Sequence, residues 1–291
     1  MAKTAIVTDS NSGITQEQAK ELGVYVLPMP FLINGDEYYE DINLTQEHFY
    51  EKLTGNADVS TSQPAAGAVL EMWDKVLSLD EYDSIIHIPM SSGLSGACQT
   101  AKMLAEDYDG KVIVVDNQRI SVTMRQSVLE AKALADAGKS AEEIEKFLMD
   151  TKMESIIYIM VNDLKYLKKG GRVTPAGAAL ATILGIKPVL VIYGEKLDAF
   201  AKARSIKNAK RTMVDAVKKF MEQNYPEAIA QGKLHLQIAY SDDRVPAEEF
   251  KKDVEAAFPG MDIYIDCLSL SVACHIGPGA LALAATIDYG V

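Results

Sequence analysis

The chain has 291 residues, 29 basic and 41 acidic side chains, a net charge of −12, 48% apolar residues and 24% charged residues. This balance excludes a disordered, fibrous or membrane-embedded chain and suits one large or two medium domains. An acidic whole argues against nucleic acid as the main partner. The three cysteines, Cys98, Cys267 and Cys274, have no C-x-x-C spacing, which argues against a disulfide framework or a zinc site and for a reducing cytoplasm.

The apolar run at residues 4–8 stops at Asp9, too short for a signal peptide, and reads as a strand. Thr15-Gln16-Glu17-Gln18 is a capping-box pattern that starts a helix to about Leu22. A strand follows at 24–27, interrupted by Pro28 and Pro30. A helix is expected over 45–53, and another over 65–77 with Pro64 at its first position. Strands at 84–88 and 111–115 flank a helix at 95–105. Helices at 121–137 and from the second capping box, Ser140-Ala141-Glu142-Glu143, to about Met149 complete the first half.

Strands separated by helices need crossover connections. Residues 1–155 are therefore expected to form an α/β domain of three layers, α/β/α, on a parallel sheet. In such sheets ligands bind beyond the carboxyl ends of the strands. Residues 156–291 read differently. Strands at 189–193 and 197–203 flank Gly194-Glu195 as an antiparallel hairpin, a long helix spans 205–224, and strands at 234–240 and 262–268 enclose a helix. This pattern predicts an α+β domain with a mixed sheet. The longest apolar stretches, near 176–186 and 279–287, are too short to span a bilayer.

Charge is uneven. Residues 162–218 hold twelve basic and four acidic side chains, a net of +8, which leaves −20 for the remainder. Lys165, Lys168, Lys169 and Arg172 form one cluster; Lys202, Arg204, Lys207, Lys210 and Arg211 form another without an acid between them. The segment is either a solvated face or a docking patch for an anionic partner or a phosphate.

Three loops combine hydroxyl residues, glycine or histidine beside an expected helix start. They are Ser60-Thr61-Ser62-Gln63-Pro64, Ser91-Ser92-Gly93-Leu94-Ser95-Gly96, and His275-Ile276-Gly277-Pro278-Gly279. Each alone is explained by capping and turn formation. Three together suit an anion site, because a helix start carries unpaired N–H groups and partial positive charge. Asp9 and Ser10 have a structural reading, in nearby turns, and a ligand-contacting one.

These segments, taken with Ala5-Ile6-Val7-Thr8-Asp9-Ser10, Gln99-Thr100-Ala101, the run Leu164-Lys165-Tyr166-Leu167-Lys168-Lys169-Gly170-Gly171-Arg172, Ile186-Lys187-Pro188 and Arg204, resemble the DegV family in order and nearly end to end. The resemblance implies a non-catalytic lipid-binding protein of two α/β domains with a long-chain fatty acid in a tunnel between them. The carboxylate would meet Thr61, Ser62, Ser95 and His275. The resemblance further implies a fatty acid kinase subunit as partner, which phosphorylates the presented acid for phospholipid synthesis, with Arg172 and Arg204 supporting that step. No cofactor or metal is implied, only the bound acid. Where the family tends to place small residues after Asp116, this chain has Val122, Thr123, Met124 and Arg125, which are expected to reshape such a tunnel.

Burying an acyl chain contributes about 0.8 kcal/mol per CH₂, while the carboxylate opposes binding unless hydrogen-bonded. A rival reading is a serine hydrolase. Gly93-Leu94-Ser95-Gly96-Ala97 sits between a strand and a helix as a nucleophile elbow does, His275 lies downstream, and Asp242 or Asp266 would be the acid. A third is an interaction protein that uses only the basic patch.

Overall fold

Strands buried on both faces of a parallel sheet are apolar throughout, and each connection must cross over as a helix. The computed structural model describes residues 3–55, 57–180 and 185–290, and these divide at Met153/Glu154 into two compact units. Residues 181–184 of the apolar stretch near 176–186, and the Lys168 side chain, fall outside the described residues.

The first unit runs β1 (Thr4–Asp9), α1 (Gln16–Leu22), β2 (Tyr25–Leu27), β3 (Pro30–Ile33), β4 (Asp36–Tyr39), α2 (Gln46–Thr54), β5 (Val59–Thr61), α3 (Ala66–Leu77), β6 (Ser84–Ile88), α4 (Ala97–Ala105), β7 (Val112–Val114), α5 (Ser121–Asp136) and α6 (Ala141–Asp150). Its main sheet, ordered β2-β1-β6-β7, is wholly parallel. The two-residue alternation of β1 sends Ile6 toward a layer of α1, α5 and α6, while Ala5 and Val7 meet α3 and α4. This is the expected α/β/α arrangement. Thr15 and Ser140 form the capping boxes read from the sequence, and Thr45 caps α2 by accepting from the His48 N–H.

Two local expectations are corrected. The helix after Pro64 begins at Ala66, with Ala65 as its extended N-cap, so Pro64 lies before the helix. A small antiparallel sheet, β4-β3-β5, has no counterpart among the elements the sequence predicts. Pro30 opens β3, a strand position where a missing N–H is tolerated.

The second unit runs β8 (Ser155–Met160), α7 (Leu164–Gly170), α8 (Pro175–Leu180), β9 (Lys187–Ile192), β10 (Leu197–Ala203), α9 (Ile206–Asn224), α10 (Pro226–Ala230), β11 (Leu234–Tyr240), α11 (Val245–Ala257), β12 (Ile263–Cys267), α12 (Leu270–Ile276) and β13 (Leu281–Ile287). Its sheet, β10-β9-β8-β13-β11-β12, is mixed: β11 and β12 are parallel and the other neighbours antiparallel. The hairpin around Gly194 forms as read. The run after Gly279 does not. The sequence predicts a helix there, and the run is instead the central strand β13, so the third loop follows α12 and opens no helix. Every residue of β13 is buried, as is every residue of β8. With both faces covered, neither carries an alternating signal, and pairing overrides the helix preference of Leu and Ala. Among the described residues no helix is long and apolar enough to cross a membrane.

Helices α7 and α12 approach closely at Gly277. Its φ is +78°, and a Cβ there would stand 2.1 Å from the Tyr166 ring. Gly260 has a similar φ of +82° with open space around it. Gly260→Ala is expected to cost about 1–2 kcal/mol for the left-handed backbone alone. Gly277→Ala should lower the urea midpoint of the second unit clearly further; equal shifts would refute the close approach.

Candidate functional site

Within the first unit the two hydroxyl loops come together at the carboxyl ends of β1 and β6. Thr61 is the last residue of β5, paired with Phe31, and the Ser62 N–H donates to the Pro30 carbonyl. The next residue, Gln63, reaches the second loop: its Nε2 donates to Thr100 Oγ1 at 3.2 Å, and a Cβ on Gly96 would lie 3.0 Å from its Oε1. Ser62 is exposed, while Thr61 and Ser95 are half-buried. The second loop is a folded turn in which the Leu94 and Ser95 N–H groups donate to the Ser91 carbonyl and the Ala97 N–H to Ser95 Oγ. The Ser92 N–H donates to Asp116 Oδ1. Neither α3 nor α4 has a side-chain hydrogen bond from its N-cap residue. Apart from the Ala97 N–H, which Ser95 Oγ takes, such helix starts suit an anion.

Asp9 ties this corner together. Its Oδ1 accepts from the backbone N–H and the Nδ2 of Asn11, at 2.9 and 2.7 Å, and its Oδ2 from the Met90 N–H at 2.9 Å. Burial pushes its carboxyl up, and those three donors oppose the shift. The structural reading of Asp9 holds. Ser10 is structural too, since its Oγ accepts from the Met29 N–H.

In the second unit His275 lies in the last turn of α12 against the Gly-Gly-Arg run. A Cβ on Gly170 would stand 2.8 Å from His275 Nδ1, so the first glycine of the pair permits this contact. The second, Gly171, is the left-handed cap of α7. Arg172 Nη1 donates to the Gly170 carbonyl at 2.6 Å. Burial first, and the Arg172 charge second, push the His275 imidazole down to about 4. It is therefore a neutral ring at pH 7, able to donate one N–H. Burial lifts the neighbouring Cys274 thiol to about 11, with Lys169 and Arg172 pulling the other way. The third loop is held by Ser241, whose buried Oγ donates to the Gly277 carbonyl and accepts from the Ala280 N–H. Sequence reasoning missed Ser241, which carries no local signal, and saw Gln63 only as one letter of a motif.

Arg204 is exposed, one residue beyond β10. Ala203 pairs with Lys187, which opens β9, and Val189 pairs with Met160, which ends β8. Arg204 thus stands at the sheet edge where β8 ends and β13 begins, the edge that bears the third loop.

The hydrolase reading loses its geometry. Six residues separate β6 from Ser95, whose φ is not positive, so no strained strand–turn–helix elbow is present. Asp266 Oδ2 accepts from the Tyr264 hydroxyl and Oδ1 from the Cys267 N–H. No group of three His, Cys, Asp or Glu side chains that could hold a metal ion occurs among the described residues.

Comparison with known proteins bears on both units. DegV domain-containing proteins of Listeria innocua and Deinococcus radiodurans are each 29% identical, covering 97% and 96% of this chain and 97% of each relative. Among solved structures, a fatty-acid-binding DegV family protein from Thermus thermophilus superposes with a TM-score of 0.88 at 28% identity, over 98% of this chain and 99% of that one. One from Streptococcus agalactiae gives 0.87 at 27% identity, over 99% and 100%. The fatty-acid-binding DegV of Bacillus subtilis gives 0.85 at 25% identity, with the same coverage. The model of the family described as "Uncharacterised protein, DegV family" matches residues 3–288, and this chain belongs to the DegV family.

Proposed function

We propose that this chain binds a long-chain fatty acid without itself catalysing a reaction, and presents the carboxylate to a separate kinase subunit for conversion to an acyl phosphate. The observation that carries the binding half is the likeness, over nearly the whole chain, to three solved DegV proteins that bind fatty acids. In this reading Thr61, Ser62 and Ser95 of the first unit and His275 of the second take the carboxylate. The acyl chain supplies most of the affinity, at about 0.8 kcal/mol per buried CH₂. Neutral donors hold the head, so the carboxylate is hydrogen-bonded while it stays open to a phosphoryl donor. The first turns of α3 and α4 add N–H groups.

The kinase half is supported by Arg172, whose charge acts on His275, and by Arg204 at the same edge of the second sheet. Preorganised cations near the head would stabilise the charge that develops during transfer. The location expected for such a chain is the cytoplasm.

Denaturing extraction of the purified protein followed by mass spectrometry should release about one long-chain acid per chain; a protein that never carries one, even after incubation with fatty acid, overturns the reading. Ser95→Ala and His275→Phe should each weaken fatty-acid affinity by about 10- to 100-fold, the range for losing a hydrogen bond to a charged group, measured by competition with a fluorescent acid. Arg172→Ala and Arg204→Ala should leave bound acid in place and slow kinase-dependent phosphorylation; unchanged rates refute the role given to them.

A further inference from the structure

His87 lies on β6 with its ring in the layer of α3 and α4, and is 2% exposed. Neither ring nitrogen has a hydrogen-bond partner among the described residues. Buried polar atoms are almost always paired, with protein or with ordered water. Trp73 stands edge-on to the ring, with centroids 5.5 Å apart. The ring also lines a cavity of about 10 Å³, together with Asp9, Pro64, Val69, Ala97 and Thr100 among others. That is about the space one water molecule needs. The lining is mostly apolar, and His87, Thr100 and Asp9 are the side chains in it that can bond such a molecule. Thr100 Oγ1 receives the Gln63 amide, which uses one of its acceptor sites. Asp9 contributes a carboxylate with lone pairs beyond those its three donors occupy.

We propose that one water molecule occupies this cavity and bridges His87 to Thr100, making His87 a positioning residue for Gln63 and, through it, for the two hydroxyl loops. The chain of contacts runs from the His87 ring through the water to Thr100 Oγ1, and from there to Gln63, which touches Gly96. Burial holds the imidazole down to about 4, so at pH 7 it is neutral and offers one donor and one acceptor. The consequence for ligand affinity rests on the fatty-acid reading; the water and its coupling do not.

The bridge is tested first on protein stripped of ligand. Nitrogen-15 spectra of the His87 ring should show a single tautomer with a slowly exchanging, hydrogen-bonded proton or acceptor, and Thr100→Val should shift that signal. In denaturant unfolding, His87→Leu and Thr100→Val should each destabilise, and the double variant should fall short of their sum. A His87 signal insensitive to Thr100→Val, or a His87→Leu variant more stable than the parent, overturns the bridge; the Thr100 arm decides if His87→Leu does not fold. On loaded protein, both variants should weaken fatty-acid affinity about tenfold. Coupled stabilities with unchanged affinity would overturn the positioning role alone. A protein that binds no acid at all would overturn the functional reading and leave the bridge standing.

Discussion

The buried carboxylate of Asp9 is the interaction on which the first unit's loop cluster depends. A buried carboxylate is tolerated only when its oxygens are hydrogen-bonded, and here the donors come from two places: the turn that follows β1, and Met90 at the head of the loop after β6. Satisfying the charge therefore fixes the spacing of two neighbouring strand ends. The loop that ends in Ser95 departs from one of them, and Gln63 joins it to the loop that carries Thr61 and Ser62. The loops are short turns with most of their backbone groups already committed. The first turns of α3 and α4 open beside these loops without a side-chain bond from their N-cap residues.

The second unit reaches order by a different route, through close contact of small residues. Gly277 admits the Tyr166 ring and Gly170 admits the His275 ring, so α7 and α12 pack with side chain against backbone. The same contact half-buries His275, and that burial, with the Arg172 charge, holds its imidazole below the usual range. Packing and electrostatics are one arrangement at Gly170, since a bulkier residue there displaces the ring whose ionisation depends on burial.

The positive segment is divided between structure and surface. Lys165 pairs with Asp163 and lies over the Tyr166 ring, Lys187 donates to Asn162, and Lys210 donates to the Pro246 carbonyl and lies over Phe250. Lys202, Arg204 and Lys207 remain exposed beside the half-exposed Phe200 and Ile206. Net charge counted along a chain thus overstates the charge a partner would meet, because long cationic side chains also cover apolar rings.

The amino-acid sequence by itself determined the features that act over a few residues or repeat at a regular period. The capping boxes at Thr15 and Ser140, the hairpin at Gly194 and the alternation of strand and helix in the first half are all local, and their physics is complete within a short window. The ordered motifs also sufficed to point to the DegV family. Tertiary structure decided the rest. β8 and β13 are strands because neighbours pair with both their edges and cover both their faces, which no short apolar run can report. His275 stands beside Gly-Gly-Arg, and Gln63 beside Gly96, across sequence separations that no local preference can bridge. Such contacts are won by burial and hydrogen bonding summed over the whole unit, and only the folded chain carries that sum.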